Sequence, residues 1–219
     1  MSSDRAKEHL YQAIGRVAAA LGSAGRLQLL EFVAQGERSV DTLAAMTGLS
    51  VANTSKHLQA LRQAGLVVAR KQGLRVYYSI AGDDVSLLLS SLRGVAEHRA
   101  ADVERLLQTW LAHRDELEPV PAREVLDRAR KGLVTVLDVR PEEEYAAGHL
   151  PGAINVPIEK LQRFLSKLPK RREVVAYCRG PYCLMSFEAV EQLRKRGFKA
   201  KRLENGFPEW RAAGLPVER

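Results

Sequence analysis

The chain holds two thiols, and both fall in one hexapeptide, Cys178-Arg179-Gly180-Pro181-Tyr182-Cys183. A short apolar run, Glu173-Val174-Val175-Ala176-Tyr177, leads straight into it. A helical pattern with Met185, Ala189, Val190 and Leu193 on one face leads out of it, up to Gly197. A cysteine at the end of a buried parallel strand, in a tight loop entering a helix, is placed for nucleophilic chemistry. Loop amides can converge on its sulfur, and the helix N-terminus adds positive potential, so the thiolate is favoured near neutral pH. Arg179 adds a full charge, and Gly180 permits an unusual backbone turn. These features favour Cys178 as a nucleophile over a buried core thiol. Cys183 is either a passive small residue or a resolving thiol that attacks Cys178 once that sulfur carries a leaving group, and we favour the second. As a pair of soft ligands the two thiols alone leave a metal or arsenic site incomplete.

A second constellation lies in the first half. Ser39 can cap a short helix carrying Val40, Leu43, Ala44 and Met46, which stops at Gly48. Ser50 can cap the next helix, whose buried face holds Leu58 and Leu61, up to Gly65. Two strand-like runs, Leu66–Ala69 and Leu74–Ile80, then flank Arg70-Lys71-Gln72-Gly73, a hairpin signal. Two short helices and a basic hairpin are the parts of a winged helix-turn-helix. From Thr42 to Gly82 there is no Asp or Glu, while Lys56, Arg62, Arg70, Lys71 and Arg75 are all positive. A polyanionic partner explains that, because a carboxylate facing phosphates would be repelled. Ser50, Asn53, Ser55, Lys56 and Gln59 supply polar groups of groove-reading size at the front of the second helix, with Arg70, Lys71 and Arg75 on the wing. Double-stranded operator DNA is therefore the expected partner.

The elements that position these two sets divide the 219 residues in two. Before Glu118-Pro119-Val120-Pro121 the pattern is mostly helical; after it, short apolar strands alternate with helices, and all nine prolines lie at or beyond Pro119. The expected domains are 1–118 and 119–219. The first begins with a helix whose apolar face is Leu10, Ile14, Val17, Ala18 and Leu21, followed by a second over Leu27–Val33. It ends with a long helix carrying Val85, Leu88, Leu89, Leu92, Val95, Val103, Leu106, Leu107, Trp110 and Leu111. The second opens with Leu133–Val139, a near-continuous apolar run that reads as a buried parallel strand. The fold class is thus a mainly α winged helix-turn-helix domain with a β-hairpin wing, then an α/β domain with a parallel sheet.

Leu43 to Ser50, then Ser55 to Val67, closing with Arg75-Val76-Tyr77-Tyr78, resembles the ArsR family of bacterial repressors. The resemblance spans about residues 10–115. It implies a homodimer, paired through the first and last helices, that binds an inverted-repeat operator and releases it on a signal. His57 matches a family histidine and is read as packing; Val51 stands where a polar residue is frequent. Many members bind metal through a Cys-x-Cys segment, but here the matching stretch is Ser39-Val40-Asp41-Thr42-Leu43, without a thiol. His98, Asp102, His113 and Glu116 on the long helix are not spaced for a shared metal and read as solvated side chains. The first domain is expected to have no sensor and no metal of its own.

The second half resembles the rhodanese sulfurtransferases over about residues 119–219. The likeness rests on Leu137-Asp138-Val139-Arg140, Glu144-Tyr145 and Gly148 to Pro157, and on Leu203-Glu204-Asn205-Gly206 with Trp210 and Ala213 to Val217. Asn205 stands where a glycine is usual. The resemblance implies that Cys178 accepts a sulfane sulfur from a small sulfur-containing anion such as thiosulfate, or from a persulfide donor. Residues 178–183 would cradle the persulfide, with Asp138 and Arg140 supporting the loop at the sheet end and Arg140 near Glu144. Leu184 stands where related phosphatases carry a loop-closing Arg, which argues against phosphatase chemistry.

Composition narrows the rest. A hydrophobic share of 46% with 27% charged residues is that of a globular chain, not a disordered one. No apolar run spans a bilayer, the N-terminus lacks an apolar signal core, and two cysteines make no secreted disulfide framework. The chain reads as cytoplasmic, with no membrane partner and no cofactor. Its net charge of +8 is unevenly placed: 14 Lys+Arg against 13 Asp+Glu over 1–118, and 20 against 13 over 119–219. The expected function is a transcriptional repressor that senses or handles reactive sulfur; the alternative is a sulfurtransferase whose first domain serves dimerisation or autoregulation.

Overall fold

The computed structural model describes residues 3–111 and 119–219. By packing, the chain forms two compact units, 1–85 and 86–219. Among the described residues no single helix is long and apolar enough to cross a membrane.

The first unit runs α1 (Ser3–Leu21), α2 (Ala24–Ala34), β1 (Arg38–Ser39), α3 (Val40–Thr47), α4 (Val51–Gln63), β2 (Val67–Gln72) and β3 (Arg75–Ile80). The caps expected from the sequence form: Ser39 Oγ accepts from the Thr42 amide at 3.2 Å, and Ser50 Oγ from the Asn53 amide at 3.3 Å. Gly48 ends α3 with φ of 71°, a left-handed turn that aims α4 away from it. Leu29, Leu30, Val33, Leu43, Leu58, Leu61, Leu66 and Tyr78 are buried and form the core of this winged helix-turn-helix.

Two details differ from the sequence reading. The hairpin ladder continues through Arg70, Lys71 and Gln72, so the turn shrinks to Gly73-Leu74; Gly73, at φ of 60°, supplies the backbone a two-residue turn needs. The sheet also gains β1, which pairs antiparallel with β3 and is too short to show any period in sequence.

The expected long helix is two: α5 (Asp83–Arg99) and α6 (Ala101–Leu111), interrupted at Ala100. α5 starts in the first unit and continues in the second. Residues 113 and 116 of the dismissed metal cluster lie outside the described residues; among those described, no group of three His, Cys, Asp or Glu could hold a metal.

The remainder of the second unit is β4 (Pro119–Val120), α7 (Ala122–Arg130), β5 (Val134–Asp138), α8 (Glu142–Ala147), β6 (Ile154–Asn155), α9 (Leu161–Phe164), β7 (Glu173–Tyr177), α10 (Leu184–Lys195), β8 (Ala200–Leu203) and α11 (Phe207–Ala212). Its sheet has the order β4-β8-β7-β5-β6, with every pairing parallel. Side chains alternate between two cores, as a sheet covered on both faces requires. Val134, Val136, Val175 and Tyr177 face the core with Trp210 and Phe207, while Leu137, Val139, Val174, Ala176 and Cys178 face the one with Phe187 and Val190. That alternation delivers Cys178 to the face covered by α10.

Candidate functional site

Cys178 follows the last residue of β7, and Cys183 is the residue that caps α10. The hexapeptide therefore bridges a central strand and a 12-residue helix, as the sequence implied. Cys178 is 1% exposed. Its Sγ lies 3.3 Å from Ser186 Oγ, 3.4 Å from the Cys183 carbonyl and 3.9 Å from the Gly180 carbonyl. Burial pushes this thiol well above its ordinary range; the hydrogen bond with Cys183 and the charge there push it the same way, against smaller opposing contributions from Ser186 and the Gly180 amide.

Cys183 is half-buried and behaves oppositely. A hydrogen bond donated by Cys178 brings it down to about 7, assisted by the Arg179 and Met185 amides and the Arg179 charge, against burial. The loop amides expected to converge on Cys178 are thus divided between the two sulfurs, and the more acidic thiol is Cys183. Position adds to the hydrogen bond from Cys178: Cys178 sits among carbonyls at the end of β7, whereas Cys183 occupies the N-terminus of α10, where free amides point.

Arg179 is held by a carboxylate. Its guanidinium grips Glu144 with Nε at 3.0 Å from both oxygens and Nη2 at 2.7 Å, and the Glu144 side chain is buried. Arg140 is held by Asp138, with Nη2 to Oδ2 at 2.6 Å and Nε to Oδ1 at 3.0 Å, both side chains fully buried, and the Glu144 charge also acts on it. Arg140 also donates to the Gly148 carbonyl at 2.8 Å and lies over the Phe207 ring, 4.3 Å from its centroid. Tyr177, the residue before Cys178, donates its hydroxyl to Asp138; burial, then the Asp138 charge, keeps that hydroxyl protonated. Asp138 and Arg140 thus lie locked together at the end of β5, which pairs with β7 just ahead of Cys178.

Three contributions to the site were not assigned from the sequence. Ser186, buried on the first turn of α10, reaches Cys178 but is a common residue with no motif around it. Gly206 packs so closely that a Cβ there would lie 2.4 Å from the carbonyl carbon and oxygen of Arg179 and the amide nitrogen of Gly180. Next to it, the Phe207 amide donates to the Cys178 carbonyl at 3.1 Å. Finally, α5 reaches the loop: Tyr182 donates its hydroxyl to Glu97, and Arg93 pairs with Glu209.

In the first unit, Ser50, Asn53, Lys56 and Gln59 are exposed on α4, with Ser55 half-buried beside them. Ser50 is engaged as the cap, and Gln59 Nε2 donates to Ser55 Oγ at 3.5 Å. His57 packs by Gly25, its Nε2 3.4 Å from where a Cβ would be, in keeping with a packing role. Lys71 and Arg75 are exposed on the wing. Arg70 is not unopposed: its Nε donates to Glu37 Oε1 at 2.9 Å and it lies over the Tyr77 ring. That hydrogen bond holds the Glu37 carboxyl below its ordinary range. The acid-free stretch therefore meets an acid supplied from just outside it.

Residues 23–68 match the family profile described as bacterial regulatory protein, arsR family, and residues 121–213 match that of the rhodanese-like domain. Along 216 residues the chain is 46% identical to the HTH-type transcriptional regulator Rv0324 of Mycobacterium tuberculosis, covering 99% of this chain and 94% of that one. It is also 33% identical, over 85 residues, to a sulfurtransferase of Allochromatium vinosum, covering 38% of this chain and 78% of that one. Among solved structures it is similar to the homodimeric winged helix-turn-helix DNA-binding domain Mb0332 of Mycobacterium bovis, at 43% identity and a TM-score of 0.43, covering 47% of this chain and 94% of that one.

Proposed function

This chain belongs to the ArsR-type transcriptional regulators that carry a C-terminal rhodanese-like domain, and from that premise we propose that it is a repressor whose DNA binding answers to sulfane sulfur taken up at Cys178. The observation that carries the reading is the placement of both thiols in one strand–loop–helix site, with Cys178 Sγ 3.4 Å from the Cys183 carbonyl, in a protein whose winged helix has none.

In the first step Cys178 Sγ attacks the outer sulfur of a donor such as thiosulfate. The new S–S bond forms as the donor's S–S bond breaks, sulfite leaves with the electron pair, and the thiol proton passes to the Cys183 thiolate beside it. Cys183, ionising near pH 7, is then the resolving thiol. Its attack on the Cys178 sulfur forms a Cys178–Cys183 disulfide and releases the terminal sulfur as hydrosulfide, so the sulfane sulfur itself is the oxidant. Arg179, Gly180, Pro181 and Tyr182 form the loop around the persulfide, and Asp138 and Arg140 hold the strand end.

On the DNA side, Asn53, Ser55, Lys56 and Gln59 face the groove from α4, with Ser50 as its cap, and Arg70, Lys71 and Arg75 meet phosphates from the wing. The partner is double-stranded operator DNA bound by a homodimer. Exposed Leu10, Tyr11 and Ile14 on α1, and Leu88, Leu92 and Val95 on α5, are the apolar residues a dimer would cover.

The test combines intact-mass measurement of Cys178 and Cys183 after treatment with thiosulfate or inorganic polysulfide with gel-shift affinity for DNA upstream of the gene. Affinity should change on loading in the wild type and not in Cys178→Ser; affinity indifferent to loading in both refutes the sensor. The sulfurtransferase reading is favoured by the complete six-residue loop and by the similarity to a sulfurtransferase. Steady thiosulfate-to-cyanide turnover lost in Cys178→Ser would support it, whereas a single loading event per site supports the sensor.

A further inference from the structure

α5 has two opposite faces. At about 100° per residue, Ser90, Arg93, Gly94 and Glu97 line one side, and Leu88, Leu92 and Val95 fall about 180° away. The apolar side is exposed. The polar side meets the sulfur-handling loop at two points one helical turn apart.

At the first, Glu97 accepts from the Tyr182 hydroxyl, which burial, then Glu97 itself, keeps protonated and hence a donor. At the second, Arg93 pairs with Glu209, and its Nη1 lies 3.5 Å from where a Gly180 Cβ would be. Glu209 in turn accepts from the Gly206 amide at 3.0 Å, and Gly206 is the residue pressed against the Arg179–Gly180 peptide. Arg93 and Glu209 are 25% and 10% exposed, so water screens this pair in part. Beside these contacts a cleft of about 470 Å³, lined by Arg93, Glu97, Pro181 and Tyr182 among others, leaves the loop room to move on this side.

Cys178 has no comparable room. A second sulfur adds a bond of about 2.05 Å to an atom on a residue that is 1% exposed, and closing a disulfide draws Cys183 toward it. Either event displaces residues 179–182, which are the residues Arg93 and Glu97 hold.

We propose that Arg93 and Glu97 are positioning residues of the sulfur-handling loop, and that α5 is the element by which its state is conveyed toward the wing strand that precedes it. The inference rests on the reading of the loop as a sulfur acceptor. α5 begins at Asp83, three residues after β3 ends, and is one unbroken helix to Arg99, so a shift at Arg93 and Glu97 is carried along its length. The same shift turns the exposed apolar side.

Hydrogen exchange followed by mass spectrometry, on the full chain before and after loading with inorganic polysulfide, tests it. In the wild type, peptides within 86–99 should change exchange by about fivefold, the net worth of one hydrogen bond, together with peptides within 178–187. In Glu97→Ala the loop peptides should still respond and the α5 peptides should not. Glu97→Gln, which keeps an oxygen acceptor for Tyr182, should restore the α5 response. Loading that alters the loop while α5 exchange stays constant in the wild type overturns the inference and leaves the sulfur reading standing. So does an α5 response in Glu97→Ala equal to that of the wild type. Absence of any mass change at the two cysteines, neither an added sulfur nor the loss of two hydrogens on disulfide closure, overturns the sulfur reading itself, and this inference with it.

Discussion

The division of acidity between the two thiols is open to direct measurement. With Cys183 near 7 and an ordinary thiol near 9, about half of Cys183 and about 1% of the ordinary thiol is ionised at pH 7, a roughly 50-fold difference in thiolate. Nucleophilicity falls with basicity: a Brønsted slope of about 0.45 over two pH units removes about eightfold, leaving a net advantage of about sixfold toward a disulfide reagent. The sign follows from the thiolate being the reactive form: the rate is full above pH 8, falls through about 7, and is small below 6. The assay is the pH profile of modification by a small aromatic disulfide, with the labelled cysteine located by peptide mass. Cys183 should label first with a midpoint near 7, and Cys178 should stay silent at neutral pH. Cys178→Ala removes the hydrogen bond that is the largest cause of the lowered value, so the Cys183 midpoint should rise toward the ordinary range. First labelling at Cys178, or a Cys183 midpoint near 9 that ignores Cys178→Ala, would refute this account of the site.

Three further outcomes follow from named contacts. Asp138→Asn removes the carboxylate that grips the fully buried Arg140, so the second unit should lose about 3–5 kcal/mol; urea unfolding read from Trp210 in a Trp110→Phe background checks this, and a loss below about 1 kcal/mol contradicts the bracing role. Glu37→Gln releases Arg70 from its ion pair, so the salt dependence of affinity for a random-sequence duplex should steepen by up to about one unit of log–log slope; an unchanged slope means Arg70 does not reach phosphate. Gly206→Ala sets a Cβ 2.4 Å from the Arg179 carbonyl and should cost about 1–3 kcal/mol while slowing sulfur loading at Cys178, as intact mass would register.

What could be read from the sequence was whatever chain order encodes. Ser39, Gly48, Ser50 and Gly65 announced the two helices because caps and left-handed glycines act on their own neighbours. Cys178 was visible because an apolar strand, a short loop and a helix follow one another without interruption. The site's second ring was not visible, because its members meet only through the sheet. Glu144 lies 35 positions before Arg179, which it binds, and β5 brings it there; only its general proximity to the sheet end could be guessed. Ser186 carries no pattern beyond its own residue type, and Gly206 stood out only as part of the Leu203–Gly206 motif, with nothing in chain order to show that it presses on the Arg179–Gly180 peptide. The acidity of Cys178 was misplaced for a related reason: a helix N-terminus could be inferred, but not which of two cysteines its amides would meet. Likewise the acid-free window was legible, whereas Glu37 closing on Arg70 depends on how β1 and the wing fold together.

The size of the contacts on α5 also limits what kind of switch they can serve. A hydrogen bond to a charged group contributes about 1.5–3 kcal/mol when water is largely excluded and less when it is not. The Tyr182–Glu97 bond and the Arg93–Glu209 pair are both partly exposed, so their combined differential falls within the 1–3 kcal/mol typical of coupled sites, about 5- to 150-fold in affinity. Moving a population from 1:99 to 99:1 would require about 5.5 kcal/mol, beyond what these two contacts supply. Coupling through α5 alone therefore gives a graded response, in which sulfur loading shifts operator occupancy by one to two decades of protein concentration. An all-or-none response would require the dimer to double the effect, one loop acting on each of two copies of α5.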